Sequence, residues 1–593
     1  MLRTAYPASF GAPVRAALAL ALVAAACSSS DGDATAPVLA VTSHVDGDVV
    51  QGVTEITLAG TVSDEGELPA VEVSVGGGAF EAADVSAGTY SIQVPVALAR
   101  TSLEVRARDA AGNAATVALD VLRTAEGRLD TSFGPDVLPA DGTPDGYAFS
   151  DRANQNDTIR DGLVDASGRT LACGLSRGAA GNFDFIVWCY TADGQLDATF
   201  GPDVEPMDGT PDGFVTLDGP TGGTNSNDWA HGIVLDAAGN ILITGYGDGV
   251  GTGQDLVLVR FTPDGLLDTT FGADVSPADG TPDGFVVYTS TGDHDDRGHA
   301  LVVADDGSIF VAGRSDATLA QSCLLLKFDA NGALDASFGG GDGIAMVSDS
   351  IGGGADDEAN AVELDAEGRI LVAGASNGRP VVWRFTADGT LDTTFGVDAY
   401  PADGTPDGFF AGAGMNGGAM HDVLVQGDGS LLATGQYLVD STNRWDMVLF
   451  RTTPDGAADL AFGSDYDATP GPDGYVRHHA AAGNTNSDGG KELAVDVAGN
   501  ILVAGDSEGM SSAPYMTVWR FTPDGTLDAT FGGDLNPMDG TPDGFVFDAG
   551  PSNNSNLNQG EAILLDAEGR ITVVGTTYNG ALGGANCAVW RLL

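Results

Sequence analysis

The chain has 593 residues, more than one ordinary hydrophobic core organises, which leaves several domains or a repeat array. A hydrophobic content of 43% excludes disorder throughout, and 86 glycines with 26 prolines favour many tight turns over long helices. Against 25 basic residues stand 84 acidic ones, and a formal net charge of −59 repels nucleic acid and anionic lipid while favouring solubility or cation uptake.

In chain order, Arg3 and Arg15 precede or open the apolar run VRAALALALVAAAC (14–27), too short to span a bilayer as a mature helix and typical of an export signal over 1–26. Cleavage before Cys27 resembles a bacterial lipobox, with Ala24 where leucine is commoner; an ordinary cut after Ala26 is the alternative. The lipobox reading makes Cys27 a lipidated anchor, 27–36 a flexible tether, and the location the outer membrane or cell surface. The alternative makes the protein periplasmic or secreted.

Residues 37–122 alternate apolar and polar side chains between turn signals (ITLAG, VEVSV, YSIQVP, LEVRAR), the pattern of an antiparallel sandwich. The stretches VRARDAAGN (105–113) and GTYSIQVP (88–95) resemble bacterial immunoglobulin-like domains, without the paired cysteines of antibody domains. Such a domain is expected to be a spacer.

From 123 to 593 one phrase recurs: LDxxFG, beginning at 129, 196, 267, 334, 391, 458 (as ADLAFG) and 527. Each unit continues into four apolar runs separated by turns, as in GFVVYT, AVELDAEGRILVAG and VVWRFTADG. A four-stranded unit cannot bury both faces alone, so seven such units are expected to close into a β-propeller; an open solenoid is the runner-up. The segments DAxGxIxVAG, WRFTPDG and LDxTFG are similar to those of the delta-60 repeat family of bacterial exported proteins, over about 129–593. That resemblance implies a propeller on a secreted or surface protein and no particular reaction. The expected fold class is therefore all-β, a small immunoglobulin-like sandwich followed by a seven-bladed propeller.

Residues used identically in every unit are expected to be structural. They include Asp130, Asp197, Asp268, Asp335, Asp392, Asp459 and Asp528 of LDxxFG. A cation ends the fourth run in six units (Arg260, Lys327, Arg384, Arg451, Arg520, Arg591), with Cys189 the exception, and is expected to pair with these aspartates at blade junctions. Asp157, Asp228, Asp296, Asp357 and Asp488 are expected to accept backbone N–H groups at loop ends.

The DGTPDG insert spaces Asp, Thr and Asp like the start of an oxygen-ligand calcium loop. The sets are Asp141, Thr143, Asp145; Asp208, Thr210, Asp212; Asp279, Thr281, Asp283; Asp403, Thr405, Asp407; and Asp539, Thr541, Asp543. No glutamate follows at position 12, so a rigid acidic turn is the favoured reading and calcium the other; no further cofactor is expected.

Inserts and Asp-Gly turns fall on one face, and the variable loops 219–228, 436–446, 480–490 and 550–560 on the other, where Trp229 or Trp445 could stack on a sugar. His231, His299 and His421 share one repeat position with Arg160, Asn360, Lys491 and Glu561, a swap pattern that suits a half-exposed strand residue better than a metal ligand. The sequence is read as holding no GxSxG elbow, HExxH, phosphate loop or paired CxxC. The expectation is a monomeric, non-catalytic binding or adhesion scaffold for an extracellular protein or glycan, with no nucleic acid; the alternative is a hydrolase or lyase with its site at the propeller mouth. Cys173 and Cys189 are expected on neighbouring strands, bridged or as buried thiols.

Overall fold

A computed structural model describes residues 35–593 apart from 51–52, 66, 137–141, 151, 153–155, 179–180, 205–206, 223–225, 252, 275–279, 293, 318–319, 353, 355, 399–403, 413–414, 416, 439–443, 465–471, 480, 483–486, 510–512, 534–541, 549–557, 567 and 580–583. The protein is all-β: an immunoglobulin-like sandwich followed by a seven-bladed propeller.

In the sandwich, a sheet containing Glu55–Ser63 and Thr89–Pro95 faces one containing Ala70–Val75, Ala99–Arg108 and Ala114–Arg123. The strict alternation in EITLAGTVS, with Ile56, Leu58 and Val62 buried, follows from one face meeting the core and the other water. Leu58, Val105 and Val121 are fully enclosed.

Each propeller blade is a four-stranded antiparallel sheet. In blade 2 the order from the axis outward is Asp228–Leu235, Ile241–Asp248, Gln254–Phe261 and Phe285–Tyr288. Blade 1 spans 157–217, blade 3 296–347, blade 4 357–411, blade 5 418–478 and blade 6 488–548. The middle strands are apolar without alternation, as in ILITGYGD and QDLVLVRF, because each blade is covered by a neighbour on both faces. The cores accordingly bridge blades: one joins Leu171, Phe185 and Val187 of blade 1 to Ile233, Ile243 and Val257 of blade 2.

The sequence repeat and the blade are out of phase. The first apolar run of each repeat is the outermost strand of the preceding blade, as where Phe285–Tyr288 pairs with Gln254–Phe261. Blade 7 therefore has only three strands from the C-terminal end of the chain, Asn558–Leu565, Ile571–Asn579 and Gly584–Leu592, and Tyr147–Ser150 supplies the fourth. The ring is closed a second time beside it, where the Leu593 carbonyl accepts the N–H groups of Glu126 and Gly127. The 125–130 turn, which reads like the end of a repeat, thus occupies the place of the turn that blade 7 lacks.

Candidate functional site

The LDxxFG phrase builds the junctions. In blade 2, Arg260 Nε donates to Asp268 Oδ2 at 2.8 Å and its Nη1 reaches the Ala330 carbonyl of blade 3 at 2.8 Å. The guanidinium also lies over Phe271, 4.5 Å from the ring centroid. The same pairs form as Arg384 to Asp392 (2.8 Å), Arg451 to Asp459 (2.7 Å), Arg520 to Asp528 (2.8 Å), Arg591 to Asp130 (2.7 Å) and Lys327 to Asp335 (2.8 Å). Burial alone would raise the Asp268 carboxyl, but hydrogen bonds from Thr270 and the pairing with Arg260 hold it below the ordinary carboxylate range.

Where Cys189 replaces the cation, Arg169 takes over from the neighbouring strand: its Nη1 lies 3.4 Å from Asp197 Oδ2, and its Nη2 donates to the Pro263 carbonyl of blade 2 at 3.1 Å. The sequence reading missed this substitute, whose only signal was an arginine after the Asp-Ala-Ser-Gly turn. Glycine is obligatory in the facing turn: Gly265 has φ of 81°, and a Cβ there would stand 2.7 Å from Phe200 of the preceding junction.

The aspartates that open the inner strands are fully buried and accept N–H groups from the loop before them, Asp228 from Gly219 at 2.9 Å and Asp296 from Ser290 at 2.7 Å. Burial pushes the Asp228 carboxyl up to about 7, over the opposing Gly219 hydrogen bond and with help from Asp218, Asp184 and Asp248. A carboxyl raised in the fold stabilises it below the unfolded pKa, and that contribution is lost as pH rises from about 4 through 7. Asn558 already occupies the equivalent position in blade 7. Asp228→Asn should therefore melt level with the parent below about pH 4, pull ahead as pH rises, and stand several degrees above it at pH 8; parallel pH profiles of melting for the two chains would refute the account.

The insert loops lie at the rim, before the outermost strands. Asp203 accepts Asp208 N (3.1 Å) and Gly209 N (2.8 Å), Thr210 Oγ1 donates to Asp208 Oδ1 (2.6 Å), and Asp212 accepts Val204 N (2.7 Å). Elsewhere the backbone N–H groups of Asp145, Asp283, Asp407 and Asp543 close the loops onto the carbonyls of Pro135, Ala273, Val397 and Gly533. Thr143, Thr281 and Thr405 sit on these same loops. Asp141, Asp279, Asp403, Asp539, Thr541 and the lipidation candidate Cys27 lie outside the described residues. Among the described residues no three His, Cys, Asp or Glu side chains converge in a way that could hold a metal ion.

The part of the propeller that departs from its symmetry is the axis. Every inner strand carries a β-bulge, and the extra residue is Arg160, His231, His299, Asn360, His421, Lys491 or Glu561. One repeat position thus becomes a ring of seven side chains of five kinds around the channel. The ring is stitched from blade to blade: His231 and His299 lie 5.2 Å apart, His299 Nδ1 bonds the Ala359 carbonyl (2.8 Å), and Asn360 Nδ2 donates to that of Met420 (2.9 Å). Burial, then the neighbouring His299, Arg160 and Arg297, push His231 well below its ordinary pKa, so it is neutral at pH 7.

The ring divides the channel. On the Asp-Gly-turn side lies a cavity of about 190 Å³ walled by Leu163, Ile233, Leu301, Leu424 and Leu565. There the carboxylates of Asp161, Asp422 and Glu492 accept the N–H groups of Ile233, Leu493 and Ile563 in the next blade, at 2.9, 3.0 and 2.8 Å. On the variable-loop side the mouth gathers Trp229 against Tyr246 (4.9 Å), Arg297 over Tyr246 (4.8 Å), and Glu358 beside both His299 (3.7 Å) and Arg314 (3.8 Å). Trp445 is half-buried at the start of its strand, where its backbone N–H donates to Ser487 Oγ.

Three pentapeptides with GxSxG spacing do occur, 174–178, 374–378 and 505–509, contrary to the sequence reading. All three run out along second strands rather than at a strand-to-helix elbow, their serines are buried, and the Ser507 hydroxyl donates to Asp488 at 2.6 Å. Cys173, Cys189, Cys323 and Cys587 are free buried thiols; Cys173 sits opposite Val187 and Cys189 opposite Leu171, so the neighbouring strands do not face the two sulfurs toward each other.

The curated proteins contain no match to the chain. Among solved structures, the subtype N10 neuraminidase-like protein of A/little yellow-shouldered bat/Guatemala is 10% identical with a TM-score of 0.30, covering 63% of this chain and 94% of that one. The subtype N11 neuraminidase-like protein of A/flat-faced bat/Peru is 10% identical with a TM-score of 0.29, covering 79% and 96%. A hypothetical protein from Leishmania major is 9% identical with a TM-score of 0.24, covering 61% and 83%. Residues 37–124 match the model of glucodextranase, domain B, and 166–200, 239–271, 366–395 and 499–531 match that of a β-propeller domain of unknown function, DUF5122.

Proposed function

We propose that the protein is a non-catalytic, surface-anchored binding or adhesion scaffold that presents the axial mouth of its propeller to an extracellular glycan or protein. The observation that supports this reading is the contrast between used and unused polarity. The repeated aspartates and cations are consumed in pairs between blades, whereas the mouth holds a set of side chains that occurs once around the ring. On this reading Cys27 carries a lipid, 27–36 is the tether, and the sandwich is the spacer. The acidic inserts would add calcium as a stabiliser, and the propeller acts as a monomer without nucleic acid.

A second reading, a hydrolase or lyase acting on an extracellular polymer, draws on one feature: His299 Nδ1 stands 3.7 Å from Glu358 Oε1 in the mouth. Saturable retention of the full chain on an array of glycans and surface polymers, with no new chain ends released, is the expected result. Release of reducing or unsaturated ends would favour the second reading, and no retention would sink both. Fatty-acid labelling that persists in Cys27→Ser would remove the anchor, and a melting temperature indifferent to chelator would remove calcium.

A further inference from the structure

We propose that the mouth takes a sugar residue bearing a carboxylate, its acid group held by the arginines of blades 1 and 3 and its ring lying on the aromatic pair of blade 2; this rests on the binding reading above. In a chain with 84 acidic residues and 25 basic ones, three arginines converge on one half of the axis. Arg297 and Arg314 are direct cross-strand neighbours in blade 3, a like-charge juxtaposition that is unfavourable when nothing negative lies between them. Arg160 reaches toward the same place from the bulge of blade 1.

The carboxylates nearest these arginines are poorly placed to satisfy them. Arg160 stands 4.0 Å from Glu561, Arg297 3.4 Å from Asp295 and Arg314 3.8 Å from Glu358, with Arg314 Nη1 donating instead to the uncharged Gln321 Oε1 at 2.9 Å. At the blade junctions the corresponding distances are 2.7 to 2.8 Å. Arg297 Nε is buried and has no hydrogen-bond partner, a donor left for an acceptor from outside. Guanidinium groups prefer planar acceptors that take two parallel hydrogen bonds, which a carboxylate offers and a hydroxyl does not.

Next to these donors, Trp229 and Tyr246 meet at 34° and remain partly exposed, giving an apolar wall for the C–H face of a pyranose. His231 packs on the same tyrosine ring at 5.2 Å and, being neutral, offers a hydrogen bond without a second fixed charge. The net charge of −59 repels a long polyanion, so the combination selects one acidic sugar rather than a nucleic acid or a densely sulfated chain.

The test is calorimetric titration of the full chain with digalacturonate, a glucuronate-terminated disaccharide, and the methyl ester of each. At least one acid is expected to bind, with its ester at least tenfold weaker. Arg297→Gln should weaken the acid at least tenfold and leave the ester unchanged. Arg160→Gln, at a side chain that is 41% exposed and outside the junctions, should do the same in smaller measure without altering the melting temperature. An ester that binds as tightly as its acid, acid binding indifferent to both substitutions, or no binding by either acid overturns the proposal. If the array still retains the chain, the scaffold reading survives that outcome; if it does not, both fall.

Discussion

Replacing Arg384 by Met lowers the stability of the propeller by about 3 kcal/mol, the cost expected when one member of a buried ion pair is removed and the other left behind. Arg384 is 4% exposed and Asp392 9%, and the guanidinium also donates to the Pro454 carbonyl of blade 5 and covers Phe395 at 4.4 Å. Methionine keeps some of the contact with the ring and none of the hydrogen bonds. The stranded Asp392 is the larger part of the loss: against burial, hydrogen bonds from Thr394 and the charge of Arg384 hold its carboxyl below the ordinary range.

A carboxyl lowered in the fold contributes stability above its unfolded pKa and loses it as pH falls through the folded one, so the gap between parent and variant should be full at pH 7 and narrow on acidification. Adding Asp392→Asn to the variant should recover part of the loss, because it removes the unpaired charge. Lys327→Met should cost less, since that pair is more exposed, its side chains 16% and 27% accessible. Denaturant titration of the four chains reads all of this; equal stability of parent and Arg384→Met would dismiss the junction pairs as contributors.

Much of this architecture was legible because a propeller repeats its constraints. Four apolar runs per repeat, aspartate and phenylalanine in LDxxFG, and the glycine of the turn before it are local signals of a contact made seven times. The phase between repeat and blade was not legible, since pairing is a property of partners distant in sequence, and Phe285–Tyr288 reads as a strand whichever sheet receives it. The mouth was hidden for a related reason. His231, Arg160 and Glu561 could be aligned as one variable position, but the bulge that turns that position toward the axis leaves no residue type of its own. Arg169 shows the same limit from the other side, as a junction cation placed by tertiary contact and not by its place in the repeat.

The phase offset makes the segment ahead of blade 1 indispensable to blade 7, and a pair of truncations isolates that dependence. A chain of residues 123–593 retains Tyr147–Ser150, which pairs with Gly584–Leu592, and the Glu126 and Gly127 N–H groups on Leu593. It should melt as cooperatively as the propeller of the full chain. A chain of residues 151–593 still contains every inner strand, yet it lacks the outer strand of blade 7. It also lacks Asp130, the partner of the nearly buried Arg591, and Phe133, which is 1% exposed and packs between that guanidinium and the Gly194 turn. Loss of a buried phenylalanine costs about 3–5 kcal/mol and an orphaned buried charge a similar amount. Together these approach the whole stability of a typical domain, about 5–15 kcal/mol. The open edge of Gly584–Leu592 is then free to pair with other chains, so 151–593 should lose its sharp calorimetric transition and aggregate. A soluble 151–593 chain that melts sharply at the temperature of 123–593 would mean that the ring does not depend on its latch.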